Sequence, residues 1–159
     1  MKKIIIIIIS LLLLTQVVAC NSTHQKQPLQ LGVISPSELL TSYPNFSSSY
    51  NAYPVSSQAS KVIEKWGSDL RIEVFFGTWC HDSQREVPRL LKLLSQNKAV
   101  QVKLIALNYQ KSEPQGLSKG KDVKYTPTVI VYKNNKEVGR IIERPKVSLF
   151  DDIDTFYQH

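Results

Sequence analysis

The stretch "VFFGTWCHDSQREVP", Val74 to Pro88, decides how the rest of the sequence is interpreted. It begins as the end of an apolar strand and continues as an amphipathic helix, and Cys80 lies at the junction. The unpaired N–H groups and partial positive charge of a helix N-terminus favour the thiolate form of a cysteine placed there. Three residues later, where a second cysteine could pair with the first, the sequence has Ser83. The stretch therefore predicts a reactive thiol without an internal partner; the alternative is a buried, inert cysteine.

The first 19 residues have the three-part pattern of an export signal. Two lysines follow the initial methionine, an apolar run from Ile4 to Leu14 is broken only by Ser10, and small and apolar residues end the segment. From Ile4 to Ala19 the run has 16 residues, whereas a membrane-spanning helix needs roughly 20. The pattern favours a signal peptide over residues 1–19.

The end of this segment, "VVAC", resembles the lipobox of bacterial lipoproteins. The resemblance implies cleavage before Cys20 and a lipid on its sulfur, so that the mature chain is anchored to a membrane in the cell envelope. Its domain would then lie in the periplasm or another extracytoplasmic space. By the same family rule, Asn21 in place of aspartate favours the outer membrane where a cell has two. The alternatives are a free structural Cys20 or an uncleaved anchor.

Charge and cysteine content limit the classes of function. The 159 residues carry a net charge of +7, which falls to +5 without the signal segment, and the charges are interspersed. No face suited to nucleic acid is predicted, and the lysines between 119 and 124 are interpreted as a solvated loop. The chain has only Cys20 and Cys80. If the first is lipidated, the exported domain holds one thiol and forms no internal disulfide.

Three segments follow the predicted signal peptide. Residues 20–32 are polar and without periodicity, which predicts a tether. Residues 33–56 form an extension that contains four aromatic side chains, Tyr43, Phe46, Tyr50 and Tyr53. We expect this extension to pack on the flank of the domain at 57–159, or else to bind a partner. Ser35 and Pro36 predict the start of a short helix within it.

The domain alternates helical and strand patterns. Hydrophobic periodicity predicts a helix at 57–66, a strand at 70–76, a helix at 83–97 kinked by Pro88, and an interior strand at 100–108. After a loop, a hairpin over 128–142 turns at Asn134–Asn135, and a last helix begins after Ser148. The order is helix, strand, helix, strand, loop, hairpin, helix.

Three features of the domain resemble the thioredoxin-fold proteins. They are "FFGTWC" at the end of a strand, "QREVP" with a proline in the following helix, and "YTPTVIVY" before a hairpin. The first two resemble most closely the envelope thioredoxins, whose motif is W-C-x-x-C followed by a charged pair and proline. The resemblance covers residues 57–157 and implies an α/β thioredoxin fold, with a central mixed β-sheet flanked by helices.

The resemblance also implies roles for several residues. Cys80 would be the nucleophile, and Pro127 would match the family's cis-proline, which faces it. Thr126 would then offer backbone groups to an extended substrate. Trp79 would form part of the rim that a peptide contacts, although a purely packing role is the alternative.

Ser83 replaces the second cysteine of the family motif. Its hydroxyl could donate a hydrogen bond to the Cys80 thiolate, or it could simply cap the helix. It cannot resolve a mixed disulfide, so release needs an outside thiol such as a substrate cysteine, glutathione or another oxidoreductase. This favours disulfide rearrangement, or exchange with a small thiol.

The middle residues of the motif, His81 and Asp82, occupy positions that tune the thiol in this family. A protonated His81 would favour the thiolate and the charge of Asp82 would oppose it; a solvated histidine without a role is the alternative. Neither is predicted to bind a metal. Val74 stands where cytoplasmic thioredoxins have a buried, proton-handling aspartate, and Glu73 should point to the other face of the sheet. The departure argues against efficient reductase turnover.

Two functions remain open at this point. The first is a thiol–disulfide exchange enzyme that acts on protein disulfides or glutathione adducts through Cys80, without a cofactor. The second is a non-catalytic binding module of the envelope. A peroxidase is less favoured, because Gly77 stands where peroxiredoxins have a threonine.

Overall fold

A computed structural model of the chain describes residues 29–159. The predicted signal peptide, the proposed lipidation site Cys20 and most of the predicted tether lie outside these residues. The strands are β1 (Gly32–Ile34), β2 (Leu70–Phe76), β3 (Gln101–Ala106), β4 (Thr128–Lys133) and β5 (Lys136–Ile142). The helices are α1 (Pro36–Ser42), α2 (Pro44–Ala52), α3 (Ser57–Ile63), α4 (His81–Leu94) and α5 (Leu149–Gln158). No helix within this range combines the length and apolar character needed to cross a membrane.

The five strands form one mixed sheet in the order β1-β3-β2-β4-β5. Strands β2 and β3 are parallel, and the other neighbouring pairs are antiparallel. Strand β2 lies at the centre of the sheet, so the turn that follows it lies at the middle of the end of the sheet where β2 finishes. The sheet confirms the predicted α/β architecture, and Cys80 follows the C-terminal end of its central strand.

Strand β2 has buried side chains on both of its faces, which suits the centre of the sheet. Leu70, Ile72, Val74 and Phe76 are fully buried on the face that α4 covers. Residues from all five helices belong to the same core cluster. The opposite face carries a smaller cluster, formed by Phe75, Ile105, Leu107, Ile130 and Tyr132. Leu117 and Val123, from the segment between β3 and β4, pack on that cluster in place of a helix.

Helix α4 begins two residues before the predicted start at Ser83. The reason is that Cys80, with extended backbone angles, is the N-cap, and its carbonyl accepts the hydrogen bond from the Gln84 N–H at 2.9 Å. The predicted apolar stripe is buried, and Pro88 lies inside the helix. Cys80 therefore stands at the first turn of the helix that packs into the core.

The hairpin has the predicted bounds, and its turn residues explain it. Asn134 and Asn135 both adopt positive φ values, 50° and 64°, which suit the tight turns that match strand twist. Helix α5 begins as predicted, because the Ser148 hydroxyl accepts a hydrogen bond from the Asp151 N–H at 3.2 Å. These two elements close the sheet on the β5 side.

Two elements were not predicted. The short strand β1 pairs with β3, and it begins at Gly32, inside the predicted tether. Helix α2 has a sequence poor in helix formers, but Phe46 is fully buried and its ring meets that of Phe76 edge-on at 5.8 Å. Tertiary packing stabilises both elements, so local propensity gives no signal for them.

Candidate functional site

The turn between β2 and α4 holds the thiol at the surface. The Cys80 N–H donates to the Gly77 carbonyl at 3.0 Å, which closes the turn, and Cys80 itself is half-buried. Cys80 is the N-cap of α4 and keeps part of its surface exposed at the end of the central strand. The alternative of a fully buried thiol does not describe this residue.

The thiol faces the segment that enters β4. The Cys80 Sγ donates to the Thr126 carbonyl at 3.1 Å, and the Thr126–Pro127 peptide bond is cis. The Pro127 carbonyl in turn accepts from the Glu143 N–H at 2.8 Å, so the end of β5 holds this segment in place. Residues 46 positions apart in the chain thus meet at one point, as the resemblance implied.

Ser83 lies one turn beyond Cys80 but is engaged elsewhere. Its side chain is fully buried, and its hydroxyl accepts a hydrogen bond from the Gly77 N–H at 3.2 Å. Within residues 29–159 no hydrogen bond joins Ser83 to Cys80. The Ser83 hydroxyl thus holds the turn between β2 and α4, while its predicted bond to a thiolate stays a prediction.

Trp79 is fixed more firmly than a mobile rim residue. Its indole N–H donates to the Leu107 carbonyl at 3.1 Å, and its ring stacks on Tyr109 with a centroid distance of 4.3 Å. The ring also lies against Gly77, where an added Cβ would stand 2.6 Å from it. Tyr109, 62% exposed, therefore presents the aromatic surface beside the thiol, and nothing in its local sequence identified it.

The two middle residues of the motif differ in their surroundings. His81 is exposed at the start of α4, and no hydrogen bond of its side chain is found in the described part of the chain. Asp82 forms an ion pair with Arg85 at 2.6 Å and a longer one with Arg144 at 3.9 Å. Arg144 comes from the segment after β5, so its approach to Asp82 could not be found from local sequence.

A hydrogen-bonded link joins the N-terminal extension to the reactive turn. The Asn45 side chain in α2 donates to the Gln84 side chain at 3.3 Å, and Gln84 donates to the Thr78 carbonyl at 2.9 Å. The turn before Cys80 is therefore held from the side of α2 as well as from the sheet. Neither amide was identified from the sequence.

Glu73 faces away from α4, as predicted, whereas Val74 is fully buried beneath it. The Glu73 carboxylate pairs with Arg71 at 2.6 Å and Lys121 at 3.2 Å, and accepts from the Tyr132 hydroxyl at 3.1 Å. Partial burial acts to raise the pKa of Glu73, but the hydrogen bonds and charges of these partners outweigh it and hold the pKa below its usual value. The network fastens the segment that carries Lys121 onto the sheet.

The Glu73→Gln variant is expected to be less stable than the wild type at pH 7 by about 1 kcal/mol, because glutamine keeps the shape but loses the charge. Since the pKa of Glu73 is lower in the folded chain, the stability from its charge is present above the unfolded value of about 4.3 and is lost as the pH falls through the folded value. Urea unfolding at pH 7 and pH 3 measures this. The difference between the two proteins should shrink at pH 3; an equal difference at both would contradict the prediction.

The described residues around Cys80 were compared with the side chains that a metal ion needs. Among residues 29–159, no group of three or more histidine, cysteine, aspartate or glutamate side chains is arranged to hold a metal ion. The chemistry available to the described site is that of the Cys80 thiol with a nearby carbonyl and an aromatic surface.

Comparison with known proteins shows the family of this chain. A family model described as thioredoxin matches residues 40–149, more than half of the chain, and the match includes Cys80 and the cis peptide bond. The chain belongs to the thioredoxin family. It is 30% identical over 76 residues to a thioredoxin of Echinococcus granulosus, which covers 48% of this chain and 67% of that relative.

Solved structures resemble this chain at low sequence identity. A protein of unknown function from Pseudomonas aeruginosa superposes with a TM-score of 0.58 at 14% identity, covering 79% of this chain and 98% of that one. The thioredoxin of Fasciola hepatica gives a TM-score of 0.47 at 21% identity, covering 60% of this chain and 88% of its own. Membership of the thioredoxin family indicates thiol–disulfide redox chemistry in general.

Proposed function

We propose that this thioredoxin-family chain is a thiol–disulfide exchange protein of the bacterial cell envelope that acts through a single nucleophilic cysteine, Cys80. The observation that carries the proposal is the 3.1 Å contact between the Cys80 Sγ and the carbonyl of Thr126 before a cis-proline. It puts a half-buried thiol beside backbone that an extended substrate can pair with.

The exchange proceeds in two steps, formation of a mixed disulfide and its release. The Cys80 thiolate attacks one sulfur of a substrate disulfide or glutathione adduct, forms a mixed disulfide, and expels the other sulfur as a thiolate that takes a proton from water. An outside thiolate then attacks the mixed disulfide, forms a new disulfide with the substrate sulfur, and returns the Cys80 thiolate. No net electrons are gained, so the outcome is rearrangement or transfer of a disulfide.

The neighbouring residues contribute position. Thr126 and Pro127 hold the backbone of the bound peptide, and Trp79 with Tyr109 gives it an aromatic surface. Ser83 keeps the turn before α4 closed by accepting the hydrogen bond of the Gly77 N–H. His81 and Asp82 adjust the charge next to the thiol.

The location in the envelope rests on the sequence. The lipobox-like segment directs cleavage after residue 19 and attachment of a lipid to Cys20. The polar residues after Cys20 then tether the domain. With Asn21 after the lipidated residue, the outer membrane is the destination in a cell with two membranes.

The test compares the full chain with its Cys80→Ser variant, which reports any reaction at Cys20. With glutathione disulfide, the wild type should form a mixed disulfide at Cys80 at least about tenfold faster than free cysteine does. The adduct should persist until glutathione is added, and intact-mass spectrometry follows both steps.

The urea-unfolded chain serves as the control for thiol chemistry alone. A folded wild type that forms no adduct, beside an unfolded chain that does, would contradict the exchange function. That result would favour a non-catalytic binding module of the envelope.

A further inference from the structure

The segment after β3 forms a closed turn beside the thiol. The Asn108 N–H donates to the Ser112 carbonyl at 3.0 Å, and the Ser112 N–H donates to the Asn108 side chain at 3.0 Å. Within this turn Lys111 adopts a positive φ of 61°, and its N–H bonds to the Asn108 carbonyl at 3.1 Å. The turn therefore holds its two outward side chains, Tyr109 and Lys111, in a fixed direction.

Both side chains lie against the residue that precedes Cys80. The Tyr109 ring stacks on Trp79, and the Lys111 Nζ lies 4.7 Å from the centroid of the Trp79 ring. No ion pair of Lys111 is found between residues 29 and 159; its ammonium donates only to the Tyr109 carbonyl at 3.3 Å. One cation without a neutralising carboxylate is thus held on the Trp79 side of the thiol.

A second cation, Arg144, lies near the motif residue Asp82. Arg144 is 70% exposed, and its only carboxylate partner in the described chain, Asp82, is 3.9 Å away and already paired with Arg85 at 2.6 Å. Its neighbour Glu143 is bound through its backbone to Pro127. Arg144 is therefore incompletely neutralised and stands next to the motif residue Asp82.

The charges around the thiol leave a surplus of positive charge. Arg85 pairs with Asp82 and with Glu86 at 2.6 Å each, and Arg89 also pairs with Glu86. The charges of these two arginines and two carboxylates therefore balance. Even when Glu143 is counted against Arg144, Lys111 remains as an unneutralised cation. Lys111 lies against Trp79 and Arg144 lies near Asp82, and these two partner residues flank Cys80 in the sequence.

We propose that the disulfide attacked by Cys80 carries carboxylates beside its sulfurs, and that Lys111 and Arg144, which lie against Trp79 and near Asp82, select it. This inference rests on the proposed function. The covalent step is the exchange described above, in which Cys80 forms one S–S bond and displaces one thiolate. The carboxylates can belong to a small peptide disulfide or to acidic residues that flank a cysteine in a protein, and the chemistry recognised is the same.

The experiment measures how charge on the disulfide changes the rate of adduct formation at Cys80 in the full chain. Three disulfides serve as probes: anionic glutathione disulfide, neutral hydroxyethyl disulfide and cationic cystamine. Rates are expressed as the ratio of the anionic to the cationic probe, and ratios of variants are compared with that of the wild type, so that the intrinsic reactivity of each probe cancels.

Lys111→Gln and Arg144→Gln should each lower this ratio about two- to fivefold at low salt, the range for charge interactions near a protein surface. Lys111→Arg, which keeps the charge, should retain the ratio. The matched control is Lys98→Gln, an exposed lysine in the turn at the far end of α4. At 1 M salt the ratios should converge, because the screening length falls to about 3 Å.

Each outcome decides a separate question. If the Lys111→Gln/Arg144→Gln double variant kept the charge preference of the wild type for both the small probes and the peptide pair described below, the charge selection would be overturned while the exchange function stood. An equal loss in Lys98→Gln would do the same. Adduct formation with none of the probes would overturn the exchange function and this inference with it. A disulfide of a glutamate-flanked cysteine peptide, compared with its glutamine-flanked counterpart, distinguishes the sources. Preference for the acidic peptide without preference for glutathione disulfide identifies a protein segment, and the reverse identifies the small peptide disulfide.

Discussion

Replacement of Ser83 by cysteine is expected to shorten the life of the mixed disulfide at Cys80 by about a hundredfold, because an internal thiol replaces an external one as the attacking group. Residues three apart at a helix start share a face, so the new sulfur lies within reach of the first. Cysteine is also close to serine in shape, which suits the fully buried site of Ser83. Intact-mass spectrometry should show adduct release together with the loss of two hydrogen atoms.

The Ser83→Ala variant is the control for this experiment. It removes the acceptor of the Gly77 N–H without adding a thiol, so it should lower stability by about 1–3 kcal/mol and leave the adduct as persistent as in the wild type. A folded Ser83→Cys protein whose adduct lives as long as that of the wild type would show that the two positions cannot form a disulfide. The Cys80→Ser background again reports any contribution of Cys20.

Truncation of Phe46 to alanine is expected to destabilise the whole domain by about 3–5 kcal/mol. Phe46 belongs to the N-terminal extension, yet its side chain is fully buried and it contacts Tyr43 and Phe76 edge-on. The variant therefore leaves a cavity between α2 and the central strand. Chemical denaturation monitored by tryptophan fluorescence measures the loss.

Val33→Ala is the matched comparison in the same extension, because Val33 is 51% exposed. It should change stability by less than about 0.5 kcal/mol. If Phe46→Ala were as mild as this, the extension would be an appendage that folds separately. A large effect would instead show that it is part of the core on which the reactive turn rests, through Asn45 and Gln84.

The sequence predicted the elements whose patterns are local. Strand β2 alternates, helix α4 carries a regular apolar stripe, and the hairpin has a turn of two asparagines, so each was placed within a few residues. Helix α2 and strand β1 were missed because neither has a strong pattern of its own. Helix α2 exists because Phe46 is buried, and β1 exists because β3 offers an edge.

The residues of the candidate site also fall into two groups, those that the sequence identified and those that only the structure identified. Cys80, Ser83 and Pro127 could be identified from motif positions and the family resemblance. Tyr109, Gln84 and Arg144 could not, since each has a partner that the fold brings from another part of the chain: Trp79, Asn45 and Asp82 in turn.

The sequence by itself determined that one thiol stands at the start of an amphipathic helix without a second cysteine in its motif, because cysteine content and hydrophobic period are local properties. Only the tertiary structure decided what the motif residues meet: the Thr126 carbonyl at Cys80, the Tyr109 ring and Lys111 at Trp79, and Arg144 near Asp82. Contacts between segments dozens of residues apart depend on how the sheet brings its strand ends together, and no local pattern in the chain encodes that distance.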